Sequence, residues 1–312
     1  MLPAIITTFL WSYCVIAARR STQQLGENLA NLSRILLAVL ALGVMAHAFG
    51  MGVGGGGFQY FFLSGVIGFG LGDIGVFYAL TRIGSRLTLL LSQCLAAPIA
   101  GLSEWLWLGT TVTPVQIVSI CIILFGIVLA LAPKHIPAAD MPSFLSGIAF
   151  GVLAAVGQGI GAVLSRKAYA EANAAGNWIA PDGVFESIWM GATTGYQRLL
   201  GGAIVLAVFY LLSLVIRSWR TYPRKSHGDE STWSKSKYVV LTAASGPIFG
   251  IICFQWALAT TPSAIVQPIV AMTPLVVMPL AWFFEADRPS RRSIAGSVVS
   301  VSGVILLAIS VL

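Results

Sequence analysis

The chain has 312 residues, of which 57% are hydrophobic and 9% charged, and its formal net charge is +7. A soluble domain carries about 25% charged residues, so this composition excludes a protein whose surface faces water throughout. The sequence therefore predicts an integral membrane protein.

A membrane-crossing helix needs about 20 predominantly apolar residues, and ten stretches of the chain approach or exceed that length. In chain order they are residues 3–20, 29–49, 58–80, 87–109, 115–132, 143–165, 194–216, 238–259, 263–284 and 292–311. The short alternating strands of a membrane barrel are absent from the pattern. The prediction is an all-α, multi-pass protein of the cell membrane with ten transmembrane helices, and a bacterial inner membrane is the expected location.

The basic residues lie almost entirely in alternate connections, those after spans 1, 3, 5, 7 and 9. The other connections hold only Arg166 and Lys167, which nearby acidic residues offset. By the positive-inside rule the basic connections are cytoplasmic, so both termini are expected outside. Within the first five spans, the basic connections follow the odd-numbered spans. When the second five spans are numbered again from one, the basic connections follow the even-numbered spans. An inverted duplication leaves this pattern.

Short matches between the two halves also indicate a duplication. GFGLGDIGVFYAL (68–80) aligns with GPIFGIICFQWAL (246–258), which places Asp73 opposite Ile251. LSRILLA in the second span aligns with YQRLLGG in the seventh, which pairs Arg34 with Arg198. We predict two inverted five-helix repeats, over residues 1–135 and 140–312.

At these segments the chain resembles the EamA group of the drug/metabolite transporter superfamily. The resemblance covers essentially the whole chain and depends on AARRSTQQLGENLANLSRILLA, LSGVIGFGLGDIGVFYALTRIGSRLTLLLS, AAVGQGIGAVLSRKAY and PSAIVQPIVAMTPLVVMPLAWFF. The resemblance implies a ten-helix transporter in which Asp73 belongs to a Gly-Asp pair common in the family. It also implies that both termini are in the cytoplasm, whereas the charge pattern predicts that they are outside. The family's Gly-Glu-Arg after helices 4 and 9 is replaced here by Gly109-Thr110-Thr111 and Ala286-Asp287-Arg288.

Asp73 is the most informative polar residue because an acid inside a membrane span costs several kcal/mol. One interpretation makes it a proton-coupling group, or a partner for a substrate ammonium, in a central cavity. The other makes it a structural partner of a basic residue or a cap for an irregular helix turn. The sequence leaves both open.

Four glutamines are expected at membrane depth in spans that meet centrally: Gln93, Gln158, Gln255 and Gln267. Amides both donate and accept hydrogen bonds, so such a group suits a neutral or zwitterionic substrate. With Trp11 they form the predicted substrate-binding set. The alternative is hydrogen bonding between helices, at roughly 0.6 kcal/mol each.

Prolines predict helix kinks in spans 4 and 9, which are matching helices of the two halves. The residues concerned are Pro98, Pro268, Pro274 and Pro279. Paired discontinuities in corresponding helices are typical of a binding site at the bilayer midplane.

The remaining charged residues inside the spans are expected to lie at the membrane interface. Arg34 and Arg198, near predicted helix starts, are expected to extend to the lipid head groups, and Glu104 is expected at interface depth. No cofactor, metal site or nucleotide site is predicted, because the four cysteines are far apart in sequence and the glycine-rich segment at 50–57 lacks the Lys-Ser/Thr of a phosphate loop.

These features favour a secondary active transporter for a small polar metabolite such as an amino acid or a sugar, proton-coupled or working by exchange. Its partners are then a small-molecule substrate and the lipid bilayer, without nucleic acid or nucleotide, and the chain is a monomer or homodimer. A flippase for a lipid intermediate is the alternative, and a membrane-embedded enzyme is less favoured because the chain has one deep acid and three histidines.

Overall fold

The computed structural model describes residues 1–131, 141–176, 183–219, 232–278 and 290–310, which are almost entirely helical and include no β-strand. The first half contains α1 (Leu2–Leu25), α2 (Glu27–Phe49), α3 (Phe58–Gly84), α4 (Leu87–Leu108) and α5 (Pro114–Leu131). The second half begins with α6 (Met141–Ala174) and α7 (Val184–Trp219). It continues with α8, composed of Thr232–Ala243, Ala244–Ile248 and Phe249–Thr260, and then α9 (Ser263–Met278) and α10 (Arg291–Ile309).

Eight of these helices are long and apolar enough to cross a membrane, and α5 and α9 are shorter apolar helices within the described residues. The prediction of an all-helical, multi-pass membrane protein is therefore confirmed. The count of ten crossings stays a prediction.

Two helices extend well beyond the apolar stretches from which they were predicted. The sixth and seventh spans were placed at 143–165 and 194–216, whereas α6 continues to Ala174 and α7 begins at Val184. Hydropathy marks only the part of a helix that lipid surrounds. Past that depth charged pairs one turn apart can stabilise a helix, and Lys167 and Glu171 form such a pair at 2.7 Å in α6.

Small residues let the helices of the bundle approach closely. A Cβ placed on Gly157 of α6 would lie 2.6 Å from the Cα of Gly72 in α3, so these two backbones touch directly. At the junction of α3 and α4, Gly84 has a φ of +75°, a conformation that glycine adopts without strain. Further contacts join α2 to α7 and α5 to α10.

Both α3 and α8 are interrupted by a π-helical segment. The segments are Val66–Gly72 and Ala244–Ile248, and they fall at matching places in the alignment of the two halves. Glycines occupy three of the seven positions in the first, and Pro247 lies inside the second. Because π-helical turns are rare and often mark functional sites, this matched pair indicates a candidate functional site between α3 and α8.

Candidate functional site

A cavity of about 140 Å³ lies within the bundle, and its wall is built from α1, α2, α3, α4, α6, α7, α8 and α9. Most of the wall is apolar, and it includes the rings of Trp11, Phe69, Phe77 and Phe254. Its charged and amide side chains are Arg34, Asp73, Gln93, Gln158 and Arg198. An apolar cavity with a few convergent polar groups is the arrangement expected of a small-molecule site.

Asp73 follows directly after the first π-helical segment and forms an ion pair with Arg34 of α2, whose Nη2 donates to Oδ2. The two side chains are 16% and 7% exposed. Arg34 also donates from Nε to Oδ1 of Asn31 at 3.0 Å, and its guanidinium lies 5.1 Å from the ring centre of Phe77. The expectation that Arg34 reaches the lipid head groups is wrong, because a buried carboxylate holds its charge inside the bundle.

Arg198 of α7 is also buried, at 4% exposure, and the same expectation is wrong for it. Its Nη1 donates to Oε1 of Gln255 at 2.8 Å, and its guanidinium lies 5.3 Å from the ring centre of Phe69 and 5.7 Å from that of Phe254. Gly68 provides the space for this group, since a Cβ there would lie 3.2 Å from Nη2. Unlike Arg34, Arg198 forms no ion pair with the described residues.

The two arginines are related across the halves. Arg198, in the second half, lies against Gly68 of the first π-helical segment, and Arg34, in the first half, lies against Gly246 of the second. A Cβ on Gly246 would lie 3.5 Å from Nη1 of Arg34. Gly68 and Gly246 are themselves a matched pair, so each half supplies an arginine to the irregular helix of the other.

The predicted substrate-binding residues separate into two groups. Trp11, Gln93 and Gln158 line the cavity, and Nε2 of Gln158 donates to Oε1 of Gln93 at 2.8 Å. Gln255 and Gln267 are completely buried and are not part of the wall. Gln255 positions Arg198, and Gln267 donates to the backbone carbonyl of Gln158 at 3.3 Å.

Of the two spans in which prolines predict kinks, α9 is interrupted and α4 is helical throughout, within the described residues. The helix α4 continues through Pro98 without an interruption, and Pro279 lies outside the described residues. The helix α9 is interrupted at residues 271–272, between Pro268 and Pro274. A proline cannot donate to the carbonyl four residues earlier, and the carbonyl that Pro274 leaves free, that of Val270, accepts the hydroxyl of Thr273 at 2.6 Å.

Hydroxyls from α1 satisfy further carbonyls beside this break. Thr8 Oγ1 donates to the carbonyl of Ile269 at 3.2 Å, and Ser12 Oγ donates to that of Thr273 at 3.0 Å. The interruption is therefore a hydrogen-bonded contact between α1 and α9. The matched irregularities of the two halves lie instead in α3 and α8.

Glu104 was expected at interface depth, but its side chain is fully buried. It accepts the backbone N–H of Ser263 at 2.6 Å and that of Ala264 at 3.3 Å, together with the Ser263 hydroxyl. It also pairs with Nε of Arg166 at 3.1 Å. A carboxylate from α4 thus caps the N-terminus of α9. One indication of this network is present in the sequence, since Arg166 is one of only two basic residues in its set of alternate connections.

Arg166 connects this network to α8. Its Nη1 donates to the carbonyl of Leu258 at 2.7 Å, at the C-terminal end of that helix. Glu104 and Arg166 together fix the turn between α8 and α9, away from the cavity wall. Among the described residues, no three His, Cys, Asp or Glu side chains come together as a metal site requires.

Comparison with known proteins agrees with this architecture. The sequence matches the EamA-like transporter family over residues 1–132 and 145–309. A crystal structure of another protein resembles the chain with a TM-score of 0.70, at 15% sequence identity, over 98% of this chain and 95% of that one. At that identity the likeness concerns the fold alone. No curated protein matches the chain.

The family match covers nearly the whole sequence, and the helices that it spans surround a cavity suited to a small molecule. The chain belongs to the EamA-like transporter family and is a multi-pass membrane transporter of the drug/metabolite transporter superfamily.

Proposed function

We propose that this chain is a secondary active transporter that moves a small polar metabolite, such as an amino acid or a sugar, and couples the movement to protons or to exchange. The observation that carries the proposal is the central cavity, whose wall includes the Asp73–Arg34 ion pair. Eight helices surround it, which suits a solute held within the bundle better than the lipid of a flippase.

The proposed architecture is ten crossings arranged as two inverted repeats. Three features support it: the matched π-helical segments of α3 and α8, the reciprocal placement of Arg34 and Arg198, and the packing of α2 on α7 and of α5 on α10. Equivalent helices meet at the centre when an inverted duplication folds about a two-fold axis in the membrane plane.

The proposed orientation puts both termini outside a bacterial inner membrane, with the chain acting as a monomer or homodimer. The cavity wall extends from the middle of the bundle towards Ala18, Leu80 and Leu89, at the ends of α1, α3 and α4 that adjoin the basic connections. In this orientation the cavity is directed towards the cytoplasm.

The orientation is tested with single cysteines in a cysteine-free version of the chain. A cysteine at Thr111, exposed between α4 and α5, should react with an impermeant thiol reagent added to intact cells. A cysteine at Ser231 should react only after the cells are opened. The reverse result would place the termini in the cytoplasm.

Asp73 is the proposed proton carrier. Burial disfavours its charged form and Arg34 favours it, so binding of a proton and release of Arg34 are linked events. A change of conformation that separates the pair would favour protonation, and one that restores the pair would favour release. This linkage supplies a physical route from a proton gradient to movement of the helices.

The test compares Asp73→Asn with wild type in proteoliposomes, using metabolite-resolved uptake with and without a pH gradient. The variant should lose gradient-driven accumulation and keep exchange of substrate across the membrane. Because Asp73→Asn leaves Arg34 without its anion, Asp73→Asn combined with Arg34→Gln is the folding control. Wild-type accumulation by the folded double variant would exclude Asp73 as the carrier.

A further inference from the structure

We infer that Arg198 is the recognition group for a substrate carboxylate, and that the cavity takes a small monocarboxylate with an apolar body. The inference rests on the proposed transport function and names the chemical class of the cargo. It follows from hydrogen bonding, charge balance and the shape of the wall.

The first observation is the incomplete hydrogen bonding of Arg198. Of its three side-chain nitrogens, Nη1 donates to Gln255, and Nε is buried with no partner among the described residues. Nη2 likewise has no hydrogen-bond acceptor in the described part of the chain, and it packs against Gly68, where a Cβ would lie 3.2 Å away. A buried donor without an acceptor is costly, and an ionised group inside a membrane span is a functional candidate by default.

The second observation is the charge of the cavity. Its wall contains Arg34, Asp73 and Arg198 as the charged groups of the described residues, and Asp73 already pairs with Arg34. The described wall therefore carries one positive charge in excess of its acids, in a low-dielectric site. The next buried acid, Glu104, is held by Arg166 and the N-terminus of α9. An anionic group is what the site lacks.

The third observation concerns the geometry of the free donors. Nε and Nη2 form one edge of the planar guanidinium, and this edge matches the two oxygens of a carboxylate in a bidentate contact. The opposite side, at Nη1, is held by Gln255, whose backbone carbonyl accepts the Tyr169 hydroxyl at 3.1 Å and whose Nε2 donates to that hydroxyl at 3.4 Å. The arginine is thus hydrogen-bonded at Nη1, and the donors of its other edge are left without acceptors among the described residues.

The rest of the wall specifies the body of the ligand. Phe69 and Phe254 flank the guanidinium, and Trp11 packs on Phe254 with its ring centres 5.1 Å apart. The amide pair Gln93–Gln158 is the principal neutral polar feature near the middle of the bundle. A cavity of about 140 Å³ has room for a body of roughly benzene size, such as the side chain of an apolar amino acid.

The test is ligand-induced thermal stabilisation of the purified full-length chain in detergent micelles, without any gradient. The probes are matched pairs of an acid and its amide: 4-methylpentanoate and 4-methylpentanamide, benzoate and benzamide, leucine and leucinamide. A bound ligand raises stability with its concentration. Acids should bind at least tenfold more tightly than their amides.

Two variants locate the effect. Arg198→Met should weaken acid binding by about 10- to 100-fold, the range expected when hydrogen bonds to a charged group are lost. In the control, Arg166→Met combined with Glu104→Gln removes a buried ion pair outside the cavity wall and leaves the net charge of the chain unchanged. That double variant should keep the preference for acids.

Equal stabilisation by acids and amides would overturn the inference, as would an acid preference that persists in Arg198→Met or a failure of every acid to bind. The wild-type comparison stands even where a variant does not fold. Transport is scored separately in proteoliposomes. Movement of a cargo without a carboxylate would exclude this substrate class and leave the transporter, whereas movement of no metabolite would exclude the proposed function itself.

Discussion

Arg34 in α2 and Arg198 in α7 occupy matching places in the two halves of the chain, yet their surroundings differ. Arg34 has a carboxylate partner in Asp73, whereas Arg198 has the neutral amide of Gln255. The position that matches Asp73 in the second half is Ile251, a buried residue of the same cavity wall. At these matching positions the two halves hold two buried cations and a single acid. One half therefore holds an internally neutralised pair, and the other presents an unneutralised charge.

The largest expected effect is on stability, and it compares the two arginines directly. Arg34→Met leaves Asp73 buried without a cation and should lower the free energy of unfolding by about 3–5 kcal/mol, as loss of one partner of a buried pair does. Arg198→Met removes a charge that forms no ion pair with the described residues and leaves the buried Gln255 amide oxygen without its donor, so it should cost less, about 1–3 kcal/mol. Reversible denaturant titration in mixed micelles measures both. Equal losses would mean that the two arginines are equivalent.

The second prediction introduces the missing acid. Ile251→Asp should place a carboxylate beside Arg198, as Asp73 is placed beside Arg34, and should weaken carboxylate binding by about 100-fold, or nearly 3 kcal/mol. Ile251→Asn is the matched control, since it has a similar shape and no charge. Isothermal titration with the best-binding acid measures the affinity of each. A similar loss in the two variants would indicate a steric effect rather than neutralisation.

The sequence predicts the helices and the inward-facing amides, but it does not predict the surroundings of the two arginines. Hydropathy predicts helices, and buried amides at Gln93 and Gln158 face inward because lipid cannot satisfy them. Hydropathy does not predict how deeply Arg34 and Arg198 are buried. Both lie near predicted helix starts, and their burial depends on Gly68 and Gly246, on helices distant in sequence.

The prolines and Glu104 illustrate the same limit. A proline always removes one backbone hydrogen bond, but whether the helix breaks there depends on its neighbours: α4 continues through Pro98, and α1 supplies hydroxyls at the break in α9. Glu104 is buried because Arg166 and the start of α9 meet it. Partners of this kind are set by the packing of the helices and not by local pattern.

The third prediction concerns the residue that orients Arg198. Gln255→Leu removes the acceptor from Nη1, so the guanidinium loses its fixed edge, and carboxylate affinity should fall about tenfold. Tyr169→Phe is the control, because it removes a hydroxyl that bonds to Thr194 and to the backbone carbonyl of Gln255 and that contacts the Gln255 side chain only weakly, at 3.4 Å. Its affinity should change less than twofold. An undiminished affinity in Gln255→Leu would show that Arg198 needs no orientation from this amide.

The smallest expected effect is on carboxylate affinity, and it distinguishes an amide of the cavity wall, Gln93, from one behind the wall, Gln267. Gln93→Leu removes the acceptor of Gln158 and a polar group of the cavity, and one such contact between membrane helices is worth roughly 0.6 kcal/mol. Affinity for the carboxylate should therefore fall about threefold. Gln267→Leu changes an amide that is just as buried but lies behind Gln158, so it should leave affinity unchanged while lowering stability slightly. Competition binding against the best acid resolves a threefold difference, and a larger loss in Gln267→Leu than in Gln93→Leu would move the binding surface towards α9.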